Sequence, residues 1–194
     1  SRIAFNSRLS GRQHSEIYVV NSDGSGAYEI TTSITSNPSV DWFPSWCGSQ
    51  TILFQRQFND GPAQLWKVQP NGTGLTKISL DDTKSYTYPV CSPDGTKVAF
   101  ARYDSTTFLT QLFIMNSNGT GEAKIANQPS RDNVEPAWGG NSRVYFASAM
   151  SGQSGIYGID IAGTKSVQIT APDGLTMGTP TVSSDGATVE IGRT

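Results

Sequence analysis

Side chains able to do chemistry are few in this sequence. A serine nucleophile needs a base beside it, and the one histidine among the 194 residues is His14. The sequence contains no Gly-x-Ser-x-Gly motif, the turn that exposes a serine nucleophile in many hydrolases. Asp81 with Asp82, and Asp132 with Glu135, have the residue types for glycoside or metal chemistry. Such carboxylates more often cap turns or stay solvated, so we expect no catalytic residue, no metal site and no cofactor.

Composition excludes several classes of partner. Charged residues make up 15% of the chain and the formal net charge is −2, with both signs interspersed. Nucleic acids and anionic membranes need clustered Lys and Arg, so neither is an expected partner. No apolar run reaches the length of a spanning helix, so we expect no membrane insertion. The 20 glycines and the many Ser and Thr residues favour short strands joined by turns.

An internal repeat organises the whole chain. A strand-like run that ends in a glycine turn occurs four times, at residues 17–24, 65–72, 112–119 and 156–163. The turn glycines Gly24, Gly72, Gly119 and Gly163 are therefore 48, 47 and 44 residues apart. Asp-Gly and Asn-Gly pairs are hairpin turns, because Gly and Asn or Asp accept a positive φ at low cost.

A second motif lies between these runs. It contains Pro44, Pro89, Pro136 and Pro180, each two residues before Trp46, Cys91, Trp138 and Val182 respectively. A β-branched or aromatic run follows each motif, and the chain also opens on such a run, at residues 3–5. Each period thus predicts four short strands, which we label A (the Pro-x-Trp segment), B (the run that follows it), C (the first run above) and D. The four D strands are predicted at 28–31, 76–79, 123–126 and 167–170.

Four antiparallel strands per period of about 45 residues predict one blade of a β-propeller. The fold class is therefore all-β, with about four four-stranded antiparallel blades in a single domain over 1–194. The repeats are predicted at about 2–41, 42–87, 88–134 and 135–178, with closing strands at 179–194. The best copy, from Pro89 to Ile125, resembles the TolB-like β-propeller repeat of the Trp-Ser-Pro-Asp-Gly type. Gly48-Ser49 and Gly139-Gly140-Asn141 depart from that pattern, which weakens two turns and leaves the fold prediction unchanged.

One strand is surplus to a closed ring. The last A strand, around residues 180–183, could complete the first blade beside residues 3–5. The final B strand at 188–191 then has no position in the ring, because the first blade already has a B strand. It is an added edge, a sign that the chain is part of a larger propeller or assembly, or a strand that pairs with another copy of the protein.

The repeat also shows which positions of strand A the two cysteines occupy. Cys91 takes the position of Trp46 and Trp138, and Cys47 lies one residue beyond that position in the preceding blade. Successive strand residues point to opposite faces. Cys47 and Cys91 therefore either face each other across one gap between blades or point apart. They are a disulfide of an exported protein in the first case and buried unreactive thiols in the second.

Recognition is predicted on the side that carries the longer loops. Antiparallel order puts the B–C loops (6–15, 56–64, 102–111, 147–155) and the D–A loops (31–41, 80–87, 127–135, 171–178) on one rim. Aromatic and Arg residues are frequent interface anchors. His14 also lies there, and we expect it to be a solvated loop residue. The predicted partner-binding residues are Arg8, Arg12, Trp42, Phe58, Tyr86, Tyr103, Phe108 and Arg131.

Four of these residues have a plainer structural alternative. Trp42 and Tyr86 could simply pack the start of strand A, and Phe58 and Phe108 could fold under their own loops. Asn71 and Asn118 match the N-glycosylation pattern, but both occupy C–D turns where Asn-Gly is wanted for geometry. If the protein is secreted by a eukaryote, those two sites share a rim.

The resemblance implies a non-catalytic periplasmic or extracellular module that binds protein partners, since TolB-like propellers are typically of this kind. We therefore predict a binding or assembly scaffold, not an enzyme. Two alternatives stay open. One is a self-assembling filament subunit that exchanges terminal strands, and the other is the propeller part of a polysaccharide-active enzyme or a peptidase. A protein partner or self-association is expected, and a carbohydrate ligand fits the third hypothesis.

Overall fold

The computed structural model describes residues 1–8, 14–33, 36–150, 153–170, 177–183, 186 and 188–193. These residues form strands and turns and contain no helix, so none of them forms a helix that could span a membrane. The chain divides into two compact units, Ser1–Pro89 and Val90–Thr194. The single domain over 1–194 stays a prediction.

The first sheet has three strands in the order β1-β2-β3. They are β1 (Arg2–Ser7), β2 (Glu16–Asn21) and β3 (Tyr28–Glu29). In the notation of the repeat these are strands B, C and D, so the first sheet has no strand A. The predicted first repeat began in the same way, on the run at residues 3–5.

Three complete four-stranded antiparallel sheets follow, each in the order A-B-C-D along the chain. The second sheet contains β4 (Ser39–Cys47), β5 (Thr51–Phe58), β6 (Gln64–Val68) and β7 (Thr76–Lys77). The third contains β8 (Tyr86–Cys91), β9 (Lys97–Asp104), β10 (Leu109–Asn116) and β11 (Ala123–Lys124). The fourth contains β12 (Asp132–Gly139), β13 (Arg143–Met150), β14 (Gln153–Asp160) and β15 (Val167–Gln168).

The last sheet has two strands, β16 (Met177–Val182) and β17 (Val189–Arg193), which correspond to strands A and B. The order of strands along the chain is therefore B-C-D, three sets of A-B-C-D, and A-B. This is the predicted order, and the all-β repeat architecture is confirmed.

Strand A has a bulge at the residue that precedes its proline. The register of β4 against β5 shifts between Trp42 and Ser45, and that of β12 against β13 shifts between Val134 and Ala137. Phe43, Tyr88 and Glu135 adopt φ values of 53°, 53° and 54° at this position. A bulge inserts one extra residue and bends the strand. The repeated Pro motif therefore encodes a bend at the same place in strand A of three sheets.

The core of unit 1 is built from the inward faces of its strands. Its buried members include Ile17, Ile52, Phe54 and Val68, with Trp46 packed against them. In unit 2, Ala147 and Ile156 form a buried cluster that Val134 and Ile191 cover. Alternate apolar residues along each strand produce these faces, as the period of two requires.

Two predicted features were wrong in detail. The D strands contain two residues each where four were predicted, since the ladder between strands C and D has only two registered pairs in each sheet. Two B–C segments predicted as long loops, 102–111 and 147–155, are mostly strand: the β9–β10 ladder extends to Asp104 and Leu109, and the β13–β14 ladder extends to Met150 and Gln153. Polar residues continue these ladders, because backbone pairing does not require apolar side chains.

Candidate functional site

The β9–β10 hairpin of unit 2 presents two aromatic side chains to solvent. Phe108 is 74% exposed and Tyr103 is 42% exposed. The turn is ordered by Asp104, whose Oδ1 accepts a hydrogen bond from Thr106 N at 2.9 Å. Phe108 lies in this turn with a φ of 56°. A large apolar side chain thus stands at the tip of a hairpin with a defined backbone.

The neighbouring D–A segment is held against the base of this hairpin. Gln111 Nε2 donates to Arg131 O at 2.6 Å, and Thr110 N donates to Asp132 Oδ1 at 2.7 Å. The guanidinium of Arg131 lies 5.8 Å from the ring centroid of Tyr157. Arg131 is therefore fixed by its backbone and by a cation–π contact. The structure brings Tyr103, Phe108 and Arg131 to one end of unit 2, and we call these three residues the hairpin-end site.

The candidate residues of unit 1 differ from one another in exposure. Arg8 is exposed, whereas Trp42 and Phe58 are half-buried. Phe58 packs edge-on against Trp66, with 6.0 Å between ring centroids. The prediction of Tyr86 as a contact residue was wrong, because its side chain is 0% exposed and fills the interior. Its hydroxyl accepts a hydrogen bond from a backbone N–H at 3.3 Å.

Two other predicted residues can be placed briefly. Arg12 lies outside the described residues. His14 is half-buried at the edge of its loop.

Unit 1 also contains an aromatic pair that sequence reasoning missed. The rings of Phe43 and Tyr88 lie 4.4 Å apart between centroids, at an interplanar angle of 49°. Phe43 is 43% exposed. The signal was present, since both residues directly precede the proline of strand A and occupy the bulge. The pattern was interpreted only as a structural repeat.

A buried ion pair lies at the start of strand A in the second sheet. Arg56 Nε and Nη2 donate to Asp41 Oδ1 and Oδ2, both at 2.7 Å. The side chains are 5% and 0% exposed. The guanidinium also lies 5.3, 5.8 and 5.4 Å from the ring centroids of Phe54, Phe58 and Trp66. A bidentate geometry and three aromatic rings offset part of the cost of removing both charges from water.

Glu16 is a second buried carboxyl beside this pair. Ser33 N donates to its Oε1 at 2.7 Å, and Thr31 Oγ1 donates to its Oε2 at 3.2 Å. Burial, with a smaller contribution from the charge of Asp41, raises the pKa of Glu16 from 4.5 to about 7. The two hydrogen bonds and the charge of Arg56 lower the pKa and only partly offset this effect.

The Glu16 position belongs to a hydrogen-bonding pattern that repeats in the chain. In three sheets a hydroxyl on the segment after strand D accepts a hydrogen bond from the backbone N–H of the first apolar residue of strand C. The donor and acceptor residues are Ile17 and Thr31 (2.9 Å), Leu65 and Ser79 (3.3 Å), and Ile156 and Thr170 (3.0 Å). In the third sheet Ala126 has no hydroxyl, and Gln128 Oε1 accepts from Leu112 N at 2.8 Å instead. The carboxyl of Glu16 therefore occupies a position where the next sheet has Gln64, and its role is structural.

Three of the four carboxylates considered for chemistry, Asp81, Asp82 and Asp132, serve a turn, an ion pair and a backbone hydrogen bond. Asp81 Oδ1 accepts from the N–H and the hydroxyl of Thr83, at 2.9 and 2.6 Å. Asp82 pairs with Lys77, and Asp132 accepts from the β10 backbone as described above. No group of three or more His, Cys, Asp or Glu suited to a metal ion occurs among the described residues.

The Asn-Gly-Thr sites are used by the C–D turns. Asn71 and Asn118 each accept hydrogen bonds from the N–H and the hydroxyl of the Thr two residues on, at 2.7 to 3.0 Å. Asp23 accepts the same two bonds from Ser25, which lowers the pKa of that carboxyl. The turn explains these asparagines, and their glycosylation stays a prediction.

Cys47 and Cys91 are both almost fully buried. No cysteine in the described part of the chain is a free thiol. Of the two alternatives given above, we therefore keep the prediction that a disulfide joins Cys47 and Cys91.

Solved structures of similar fold define the class of this protein. A putative TolB from Agrobacterium tumefaciens matches with a TM-score of 0.72 at 16% identity, covering 87% of this chain and 61% of that one. An oligogalacturonate lyase from Vibrio parahaemolyticus matches with a TM-score of 0.71 at 14% identity, covering 98% and 55%. The fold is a β-propeller fold. Identities this low show the fold alone.

Curated relatives carry the TolB name. The protein TolB homolog of Chlorobium luteolum is 29% identical over 140 residues, which is 72% of this chain and 30% of that protein. The Tol-Pal system protein TolB of Anaeromyxobacter dehalogenans is 26% identical over 124 residues, 59% of this chain and 27% of that protein. No protein-family model matches. The predicted resemblance to TolB-like β-propeller repeats is confirmed, and the chain spans less than a third of these relatives' length.

Proposed function

We propose that this chain is a non-catalytic, extracytoplasmic scaffold that binds a protein partner through the hairpin-end site of unit 2. The observation that supports this most strongly is Phe108, an aromatic side chain 74% exposed at a hairpin tip. Exposed aromatic residues on a defined backbone are the usual anchors of protein interfaces.

The backbone of Phe108 strengthens the argument. A left-handed conformation costs a bulky residue about 1–2 kcal/mol relative to glycine. Phe108 adopts this conformation without burying its ring, so the fold gains no packing in return. A residue that costs stability and contributes no core contact is best explained by a role at the surface. Tyr103 and Arg131 then add a second aromatic surface and a positive charge at the same end.

The relatives support the kind of partner. One of them is named as a protein of the Tol-Pal system. We propose that the partner is a protein of such a system and that the chain acts in the periplasm. Asp81, Asp82 and Asp132 serve a turn, an ion pair and a backbone hydrogen bond, which favours a binding function over an enzymatic one. The likeness to a lyase rests on the fold alone.

Binding to a purified Pal protein encoded in the same genome tests this proposal. Isothermal calorimetry with the wild-type chain should give a measurable Kd. Phe108→Ala should weaken binding by about tenfold or more, because truncating a central aromatic anchor commonly costs more than 1.4 kcal/mol. Leu80→Ala is the matched control, since Leu80 is an apolar residue 63% exposed in unit 1.

The outcomes separate the partner from the site. Absence of any heat with the wild-type chain would contradict Pal as the partner. A Kd that Phe108→Ala leaves unchanged, or that Leu80→Ala weakens equally, would contradict the hairpin-end site. Circular dichroism of each variant shows whether the fold is retained.

A further inference from the structure

Arg131 lies on a short turn between β11 and β12, and the two ends of this turn are hydrogen-bonded to each other. Asn133, which is 0% exposed, closes the turn from the start of β12. Its Nδ2 donates to Gln128 Oε1 at 3.1 Å and to Pro129 O at 2.9 Å. Within the turn, Arg131 N donates to Pro129 O at 2.9 Å. The backbone on either side of Arg131 is therefore held together by side-chain amides.

The side chain of Gln128 attaches this turn to β10. Its Oε1 also accepts from Leu112 N at 2.8 Å. Its Nε2 donates to Leu112 O at 3.0 Å and to Ile125 O at 2.7 Å. Leu112 and Ile125 are both almost fully buried. One side chain thus anchors the turn to the interior of the sheet through its donor and acceptor atoms alike.

The other sheets show that one kind of anchor has replaced another here. In the first, second and fourth sheets, the N–H that corresponds to Leu112 N is bonded to a hydroxyl on the segment after strand D. The third sheet has Ala126 at that position. A hydroxyl there would satisfy Leu112 N without involving residue 128. The use of Gln128 instead moves the anchor two residues along the chain, to the end of the turn that carries Arg131.

The opposite end of the turn is attached to the hairpin. The bonds from Thr110 N to Asp132 and from Gln111 to Arg131 O hold it there, at 2.7 and 2.6 Å. The turn is therefore attached on both sides of Arg131. An interface side chain that is ordered before binding lowers the entropy cost of association.

We propose that Gln128 is the positioning residue of the hairpin-end site. By bonding to Asn133 and to Leu112 it closes and anchors the turn, and so holds Arg131 where a partner contacts it. Gln128 itself does not need to touch the partner. This inference rests on the proposed function for the role of Arg131, whereas the placement of Arg131 can be measured without any partner.

Two variants separate this role from that of a cap on strand C. Gln128→Ala removes all four of the bonds that the side chain makes. It should lower the Tm measured by circular dichroism, because Leu112 N is then buried without an acceptor. The double variant Ala126→Ser with Gln128→Ala returns a hydroxyl to the position that has one in the other sheets. It should recover most of the lost Tm, while the bond to Asn133 stays absent.

The position of Arg131 is measured by NMR of the folded chain without a partner. In the wild type the ring of Tyr157, 5.8 Å from the guanidinium, should shift the Arg131 side-chain signals from those of a solvated arginine. Arg131→Lys identifies these signals by their loss. In both Gln128 variants the shift should shrink towards the solvated value. A wild-type shift in Gln128→Ala, or its recovery in the double variant together with the Tm, would overturn the proposal.

Calorimetry with the same purified Pal protein tests the consequence for binding. Both Gln128 variants should weaken the Kd by about three- to tenfold, because a mobile arginine must be ordered when it binds. Ser79→Ala is the matched control, since it removes the corresponding hydroxyl from the second sheet. It should lower the Tm and leave both the Kd and the Arg131 signals unchanged.

The outcomes separate this inference from the proposed function. A wild-type chain that gives no heat contradicts Pal as the partner, and the NMR shifts then decide the role of Gln128. Variants that lose the Arg131 shift but keep the wild-type Kd overturn the positioning role in binding. An equal loss of affinity in Ser79→Ala would also overturn it, since lower stability alone would then explain the effect.

Discussion

Replacing Glu16 by Gln should remove the loss of stability that unit 1 shows as the pH rises. Glu16 is 1% exposed, and burial is the largest cause of its raised pKa, with the charge of Asp41 adding to it. The chain offers its own precedent for the substitution, because Gln64 occupies the corresponding position in the next sheet. Gln64 Oε1 accepts from Ser79 Oγ at 2.6 Å, and its Nε2 donates to Lys84 O at 2.8 Å.

The sign follows from the two pKa values. The pKa of Glu16 is about 7 in the folded chain against 4.5 for the ordinary group, so the folded state holds the proton more tightly. Unfolding is then favoured as the pH rises from 4.5 towards 7, and the free energy of unfolding falls across that window. Below the window no penalty exists, and above it the penalty is complete.

The magnitude can be worked from the same values. One pKa unit corresponds to about 1.4 kcal/mol, so ionising Glu16 in the folded chain costs at most about 3 kcal/mol. A glutamine has one acceptor oxygen where the carboxyl has two. The Glu16→Gln variant therefore leaves either Ser33 N or Thr31 Oγ1 without its bond, at a cost of about 1 kcal/mol. We expect the variant to be more stable than the wild type by about 2 kcal/mol above the window, and less stable by about 1 kcal/mol below it.

Urea unfolding followed by tryptophan fluorescence measures this difference. Trp42, Trp46 and Trp66 lie in unit 1 and Trp138 is the one tryptophan of unit 2, so the signal reports mainly on unit 1. Curves at about pH 4.5 and about pH 8 bracket the window. Gln64→Glu is the reverse control, because it puts a carboxyl into the corresponding buried position. That variant should lose stability as the pH rises, in the same direction as the wild type.

The reasoning fails if wild-type stability is flat or rises between those two pH values. It fails equally if Glu16→Gln follows the wild-type curve at both, since the carboxyl would then not be the titrating group.

Two further predictions concern the buried groups of strand A. Asp41→Ala should lower the free energy of unfolding by about 3–5 kcal/mol, because it leaves the buried Arg56 guanidinium without its counter-charge; the loss is measured by urea unfolding, and a loss below about 1 kcal/mol would contradict the buried pair. Cys47 and Cys91 should form one disulfide, so that the denatured, unreduced chain does not react with a maleimide and reduction lowers stability by about 2–4 kcal/mol; labelling of both thiols without reductant would show that no bond forms.

The sequence contained the repeat because its signals are local. Turn chemistry depends on the residues of the turn, so the glycines at 24, 72, 119 and 163 mark the C–D turns without any tertiary information. The alternation of apolar residues likewise marks strands one at a time. The proline of strand A also recurs in the sequence. The positive φ of the residue before it, in three sheets, was visible only in the structure.

The candidate site could be predicted only in part. Tyr86 and Phe108 are both aromatic residues in predicted loops, and the sequence offered no means of telling which of them is exposed. One is fully buried and the other is 74% exposed. Exposure depends on which strands pack over a side chain, and those strands are distant in sequence. The hairpin-end site is recognisable only in the structure, because the hydrogen bonds of Gln111 and Thr110 connect two segments of unit 2.

The sequence by itself determined an all-β chain with a fixed order of strands, because hydrophobic periodicity and turn residues act over a few positions. Tertiary structure alone decided that Glu16 is a buried acid, that Phe108 is exposed and that Tyr86 is buried. Each of these properties is a sum over neighbours supplied by other strands. Desolvation, exposure and hydrogen-bond satisfaction exist only once those strands have been brought together.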